Sequence, residues 1–183
     1  MTKFSNLKIS MLMTAILVLP AAQAASVSKD DYAAGKTRIG TTYKSEKSAC
    51  SSMKANAKDI CLEEAKAKEK VARAELEYSY TGKPGDQTKV REVKAKTAYA
   101  VAKEKCDDRA GNDKDVCRKE AKAVETKALV DAKMAKDVAE TRKDGAQDKM
   151  DADYKVAVEK CDAMTGGAKA SCITSAKTKF GKT

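Results

Sequence analysis

The chain contains no histidine and no tryptophan, and only two prolines, Pro20 and Pro84. Without histidine it lacks the usual general base at neutral pH and a common zinc ligand. Six cysteines are present, but none stands in a C-x-x-C pair. That spacing argues against a zinc knuckle, a thioredoxin-like redox centre and a haem attachment site. A cysteine nucleophile would have no imidazole to activate it. Large apolar residues are equally scarce. Leucine, isoleucine, valine and phenylalanine number 18 between residues 25 and 183, and the aromatics there are six tyrosines and Phe180. So little bulky material does not line a water-excluding pocket. Glycine-rich phosphate loops and G-x-S-x-G elbows are also missing. Adjacent carboxylates such as Glu63-Glu64, Asp107-Asp108 and Asp151/Asp153 stand in highly charged surroundings and read as solvated helix faces. The sequence reads as no enzyme, with no catalytic residue, no metal ligand and no cofactor.

What is present begins with a leader. Lys3 and Lys8 are followed by an apolar stretch over 9–19, Pro20 and the small-residue site Ala22-Gln23-Ala24. This is the pattern of a secretory signal peptide cleaved near Ala24. Residues 1–24 are therefore expected to be a signal, and the remainder to lie in the periplasm or outside the cell. There an oxidising environment lets cysteines pair. Beyond the leader, charge interrupts every apolar run, so no transmembrane segment is expected. Scarcity of large aliphatics is ordinarily a mark of disorder. Abundant alanine, the best helix former, together with six pairable cysteines points to helices held by covalent links.

The cysteines follow a rule. Tyr43/Cys50/Cys61, Tyr99/Cys106/Cys117 and Tyr154/Cys161/Cys172 repeat one spacing, and breakers fall between the units. The segment Thr81-Gly82-Lys83-Pro84-Gly85 is the clearest turn, and Asp144-Gly145 a weaker one. The units are thus 25–85, 86–144 and a truncated 145–183. Eleven residues along one helix separate two Cα atoms by about 16 Å, whereas a disulfide spans roughly 4.4–6.8 Å. Each cysteine pair can close only if the chain reverses between them. Ala110-Gly111-Asn112 and Thr165-Gly166-Gly167 suit such a reversal, while Lys54-Ala55-Asn56 has no glycine. Of the 15 possible connectivities, the repeat singles out Cys50–Cys61, Cys106–Cys117 and Cys161–Cys172. The expected fold is all-α: three serial antiparallel helical hairpins, each closed by a disulfide, with the spacing compatible alike with hairpins in series, hairpins stacked together and one elongated bundle.

Finer expectations follow from helical spacing. Tyr43, Tyr99 and Tyr154 stand two turns before the first cysteine of each unit and should pack beneath the link. Asn56, Asn112 or Asp113 should cap the returning helices. The return helix of the second unit should face its partner through Cys117, Ala121, Val124, Ala128, Asp131, Ala135 and Val138. Acid–base pairs at i,i+4, such as Glu64/Lys68, Glu92/Lys96, Asp115/Lys119 and Asp151/Lys155, should support individual helices.

Residues 25–183 carry 35 basic and 27 acidic side chains, a net charge of +8. Bases and acids are interleaved rather than clustered into a nucleic-acid footprint. The exception is the C-terminal set Lys169, Lys177, Lys179 and Lys182, a candidate contact for an anionic polymer such as lipopolysaccharide or nucleic acid.

The run Tyr99–Lys122, with the pattern Tyr-x6-Cys-x10-Cys-x3-Ala-Lys, resembles a family of exported, Ala/Lys-rich bacterial proteins with Cys-x10-Cys repeats. These are often labelled cell envelope biogenesis (Tol-A-like). The likeness is carried most closely by Tyr99-Ala-Val-Ala-Lys-Glu-Lys-Cys106 and Lys114-Asp115-Val116-Cys117. It implies a non-enzymatic envelope protein with a structural, stress-related or interaction role, and brings no catalytic or ligand residues. The first unit departs from the pattern by lacking the central glycine. The partners implied are another envelope protein or an anionic envelope polymer.

Overall fold

A computed structural model describes residues 27–182; the expected signal peptide lies outside the described residues. The described chain is all-α. Helix α1 spans Lys29–Ala49 and ends in a 3-10 turn at Cys50–Ser52. It is followed by α2 (Ala55–Thr81), α3 (Pro84–Cys106), α4 (Gly111–Asp162) and α5 (Gly166–Lys179). Among the described residues, each helix packs only against its neighbours in the chain. The hairpins therefore lie in series as one layer of helices, with α4 along an edge. Ser28 starts α1, its hydroxyl accepting from the Asp31 N–H at 3.0 Å, as an N-cap serine does.

Alanine and cystine fill the space between helices. The buried apolar residues are Cys50, Ala65, Ala95, Cys106, Ala132, Cys161 and Ala176, and the largest fully buried side chains are Cys50, Cys106 and Cys161. Such small residues let helix axes approach closely, so contact comes from proximity and not from bulk. At Gly35 this is explicit: a Cβ there would sit 2.9 Å from Leu76 Cδ1, so the glycine of α1 admits the leucine of α2.

The turn at 81–85 forms as its residues indicate. Gly82 adopts a left-handed conformation that ends α2, and Pro84 opens α3, the favoured order of these two residues. The expected break at Asp144-Gly145 does not form. Helix α4 runs through both residues for 52 positions, about 78 Å at 1.5 Å per residue. It is the return helix of the second hairpin and the entry helix of the third, so the 144/145 division falls inside one helix. A single interior glycine costs about 1 kcal/mol relative to alanine. That is not enough to end a helix whose flanks both propagate it.

Two further expectations are corrected. The residues preceding α2 and α4 are Lys54 and Ala110, and neither helix has a side-chain cap. Asn56, Asn112 and Asp113 stand inside the first turns instead. The face that α4 turns to α3 also differs from the expected stripe. Ala121, Ala128 and Ala135 do lie on it, but its buried positions are Glu125 and Ala132. Val124 is 65% exposed, and Val138 and Asp131 are exposed as well. The chosen stripe followed the bulkier residues, whereas close helix approach selects the small ones.

Candidate functional site

The three disulfides are Cys50–Cys61, Cys106–Cys117 and Cys161–Cys172, with Cα–Cα distances of 5.7, 5.6 and 5.7 Å. One sulfur of each is buried, and all six cysteines are paired. Each link closes a helix reversal whose fifth residue after the first cysteine has a positive φ: Ala55 at 48°, Gly111 at 53° and Gly166 at 58°. Glycine takes this conformation without steric cost, and alanine does so with strain. The first two links sit at the same end of the layer. There the Asn56 side-chain amide donates to the Glu104 carbonyl at 2.9 Å and to Asp108 Oδ1 at 2.7 Å. Asn56 thus joins the first hairpin to the second. The third link lies about 66 Å further along α4, counted from Cys117 to Cys161.

All three repeat tyrosines are half-buried on the seam of their own hairpin, about 10 Å along the helix from the link. Their neighbours differ. Tyr43 shares a cleft with Ile39, Glu69 and Ala72. Tyr99 lies among Ala95, Ala121 and Glu125, with the Lys122 ammonium 4.9 Å from its ring centroid. Tyr154 meets the edge of Phe180, the ring centroids 6.1 Å apart. A fourth tyrosine, which repeat spacing does not mark, is more tightly held. Tyr32 stacks on Tyr80 at 4.4 Å and donates a hydrogen bond to Glu77. That hydrogen bond, with partial burial, pushes the Tyr32 hydroxyl above its ordinary pKa.

The charged residues fasten helices to one another more than they support single helices. Lys68 pairs with Glu46 at 2.9 Å, Lys94 with Glu75 at 2.6 Å, and Lys105 with Glu64 at 2.7 Å. Glu64 and Lys68, expected to pair along α2, thus reach in opposite directions, to α3 and α1. Lys122 neutralises the buried Glu125 at 2.6 Å. Asp107 receives Arg118 at 2.6 Å and Lys114 at 3.2 Å. Desolvation pushes its carboxyl up, but the hydrogen bonds and charges of these two residues outweigh that and hold it below the usual range.

The C-terminal lysines divide. Lys169 pairs with Asp162 at 3.0 Å and Lys182 with Asp151 at 2.6 Å, so these two tie the third hairpin together. Lys177 and Lys179 are exposed in the last turn of α5, Lys179 with its ammonium 5.3 Å from the Phe180 ring. An open groove of about 580 Å³ lies between α2 and α3. Val71, Ala98 and Val101 form its floor, and Lys68, Lys94 and Lys105 line its rim. Each rim lysine already holds a glutamate. Among the described residues, no helix is long and apolar enough to cross a membrane.

No protein-family model, curated protein or solved structure matches the chain.

Proposed function

We propose that this protein is a non-enzymatic helical scaffold of the bacterial cell envelope, exported to the periplasm and acting through extended charged faces. The observation that carries this reading is the use of all six cysteines as hairpin closures in a layer of charged helices. Disulfides of this kind persist in oxidising compartments. Ion pairs between helices supply lateral order while the outer faces stay accessible to a partner protein. Site-specific photo-crosslinking from α2 and α3 in intact cells tests the reading. A recovered envelope protein supports it, and a recovered cytoplasmic partner with reduced cysteines contradicts it.

A second reading is a module that holds an anionic envelope polymer. It is favoured by Lys177 and Lys179, which extend from the last turn of α5, where positive charge also suits the helix terminus. Binding to lipopolysaccharide should then weaken as salt rises and fall with Lys177→Ala and Lys179→Ala together. Absence of binding at low salt removes this reading.

A further inference from the structure

We propose that α1 exchanges between two copies of this chain, giving a dimer in which each Cys50–Cys61 link joins the copies. Among the described residues, α1 and its terminal 3-10 turn pack on α2 alone. What holds α1 therefore lies on one helix: Cys61 on Cys50, Lys68 on Glu46, Leu76 beside Gly35 and Tyr80 on Tyr32. The reversal itself is made by three residues. Met53 and Lys54 are extended, and Ala55 holds φ 48°. No glycine or proline stands between Gly40 and Gly82. These three residues can therefore turn helical, which releases the strain at Ala55 and joins α1 to α2. The joined helix, residues 29–81, measures about 80 Å. Helix α4 already runs for 52 residues through the weaker Gly145. The other two reversals turn on Gly111 and Gly166. Glycine holds the left-handed state freely and weakens a helix interior, so these two hairpins have no drive to open.

The joined helix carries both halves of the hairpin seam on one face. The α1 residues that meet α2 are Tyr32, Gly35, Ile39, Tyr43, Glu46 and Cys50, at steps of three and four. On α2 the seam resumes at Cys61 and passes through Lys68, Ala72 and Leu76. The interval of 11 from Cys50 to Cys61 makes three turns plus about 20°, so one stripe runs through the hinge. An 11-residue repeat is a spacing of long paired helices. The contacts are also centred. Cys50 with Cys61 and Gly35 with Leu76 are each symmetric about the Ala55–Asn56 bond, and Glu46 with Lys68 and Tyr32 with Tyr80 nearly so. Two joined helices set antiparallel about that point make every hairpin contact twice, α1 of each copy lying on α2 of the other. At the centre Lys54 falls opposite Ala57 of the second copy. On one straight helix Cys50 and Cys61 stand about 16 Å apart and cannot pair with each other. Between the antiparallel copies both links close. Helix α3 shares no contact with α1 among the described residues and is untouched by the exchange.

The exchange is redox-neutral. A small thiolate, such as that of glutathione, attacks Cys61 Sγ and releases Cys50 as its thiolate. The freed Cys50 then attacks the mixed disulfide on Cys61 of the second copy and expels the glutathione thiolate. Two links within chains become two between chains, and no electrons are gained or lost. Mixing isotopically heavy and light protein in a glutathione redox buffer, at low and high protein concentration, tests this. Trypsin cuts at Lys54 and Lys58, so each Cys50–Cys61 link is read as a pair of peptides. At high concentration a disulfide-linked dimer should appear on a non-reducing gel. Its Cys50–Cys61 pairs should include heavy–light hybrids, while Cys106–Cys117 and Cys161–Cys172 pairs stay wholly heavy or wholly light. Ala55→Gly relieves the single chain and should lower the hybrid yield on the order of 10-fold or more. Absence of hybrids at every concentration overturns the proposal. Hybrids at all three links, or a yield that Ala55→Gly leaves unchanged, overturn the assignment of the exchange to the strained first reversal.

Discussion

The reversal of the first hairpin and those of the other two reach one geometry with different residues. Ala55, Gly111 and Gly166 all hold a left-handed φ, although only glycine is suited to it. A β-carbon in that conformation costs on the order of 1–2 kcal/mol. The first hairpin tolerates the strain because the reversal is fixed from outside: by the Cys50–Cys61 link and by Asn56, which bonds to the end of α3. In the second and third hairpins, backbone preference and the covalent link agree. The comparison teaches that the link and the packing specify the reversal, and that glycine only relieves it.

The largest expected effect comes from removing a link. Replacing both cysteines of one hairpin with serine should cost about 3 kcal/mol of stability in urea unfolding. The first hairpin should suffer most, since only the Asn56 hydrogen bonds then hold Ala55 in its strained state. Equal losses in all three would break the comparison. Exchanging the turn residues comes next. Ala55→Gly should stabilise the oxidised protein by about 1 kcal/mol, while Gly111→Ala and Gly166→Ala should each destabilise it by about as much. Asn56→Ala should cost about 1 kcal/mol through its two lost hydrogen bonds and should uncouple amide exchange in the first two hairpins. Within α1, Gly40→Ala should add about 0.5–1 kcal/mol of helix stability, as its Cβ would meet only the Arg73 guanidinium at an ordinary 4.0 Å. Gly35→Ala should fail to do so, because Leu76 occupies the site.

The smallest effect is a pH dependence in the third hairpin. Hydrogen bonds from Lys182 and Gln147 outweigh partial burial and hold the Asp151 carboxyl below the ordinary range. A depressed carboxylate stabilises the fold above its unfolded pKa, near 4. That contribution disappears as pH falls through the lower folded value. Thermal melts between neutral and strongly acidic pH should therefore show a loss that Asp151→Asn removes. Both partners are only half-buried and stay open to solvent, so the effect is modest.

The cysteine spacing made the hairpins legible, because a disulfide's reach and a helix's rise are fixed lengths that conflict unless the chain reverses. The turn at Gly82 and Pro84 was equally plain. The continuity of α4 was not: Gly145 is one weak position inside a long, strongly helical run, and local composition does not reveal whether a helix outlasts it. Nor did the sequence distinguish an acid–base pair along a helix from one between helices. Glu64 and Lys68 satisfy the first pattern and serve the second, since their reach covers both and packing decides. The α4 seam was misread for a related reason. Val124 and Val138 look like core residues, but the neighbouring helix packs against Ala132 and the neutralised Glu125.

The central claim is that disulfides and close alanine contacts stand in for a thick apolar core. Unfolding the protein before and after complete reduction, followed by helical circular dichroism, tests it most directly. Reduction should abolish the cooperative transition near physiological temperature, since about 3 kcal/mol is lost with each link. A reduced protein that melts cooperatively at the same midpoint would contradict the account.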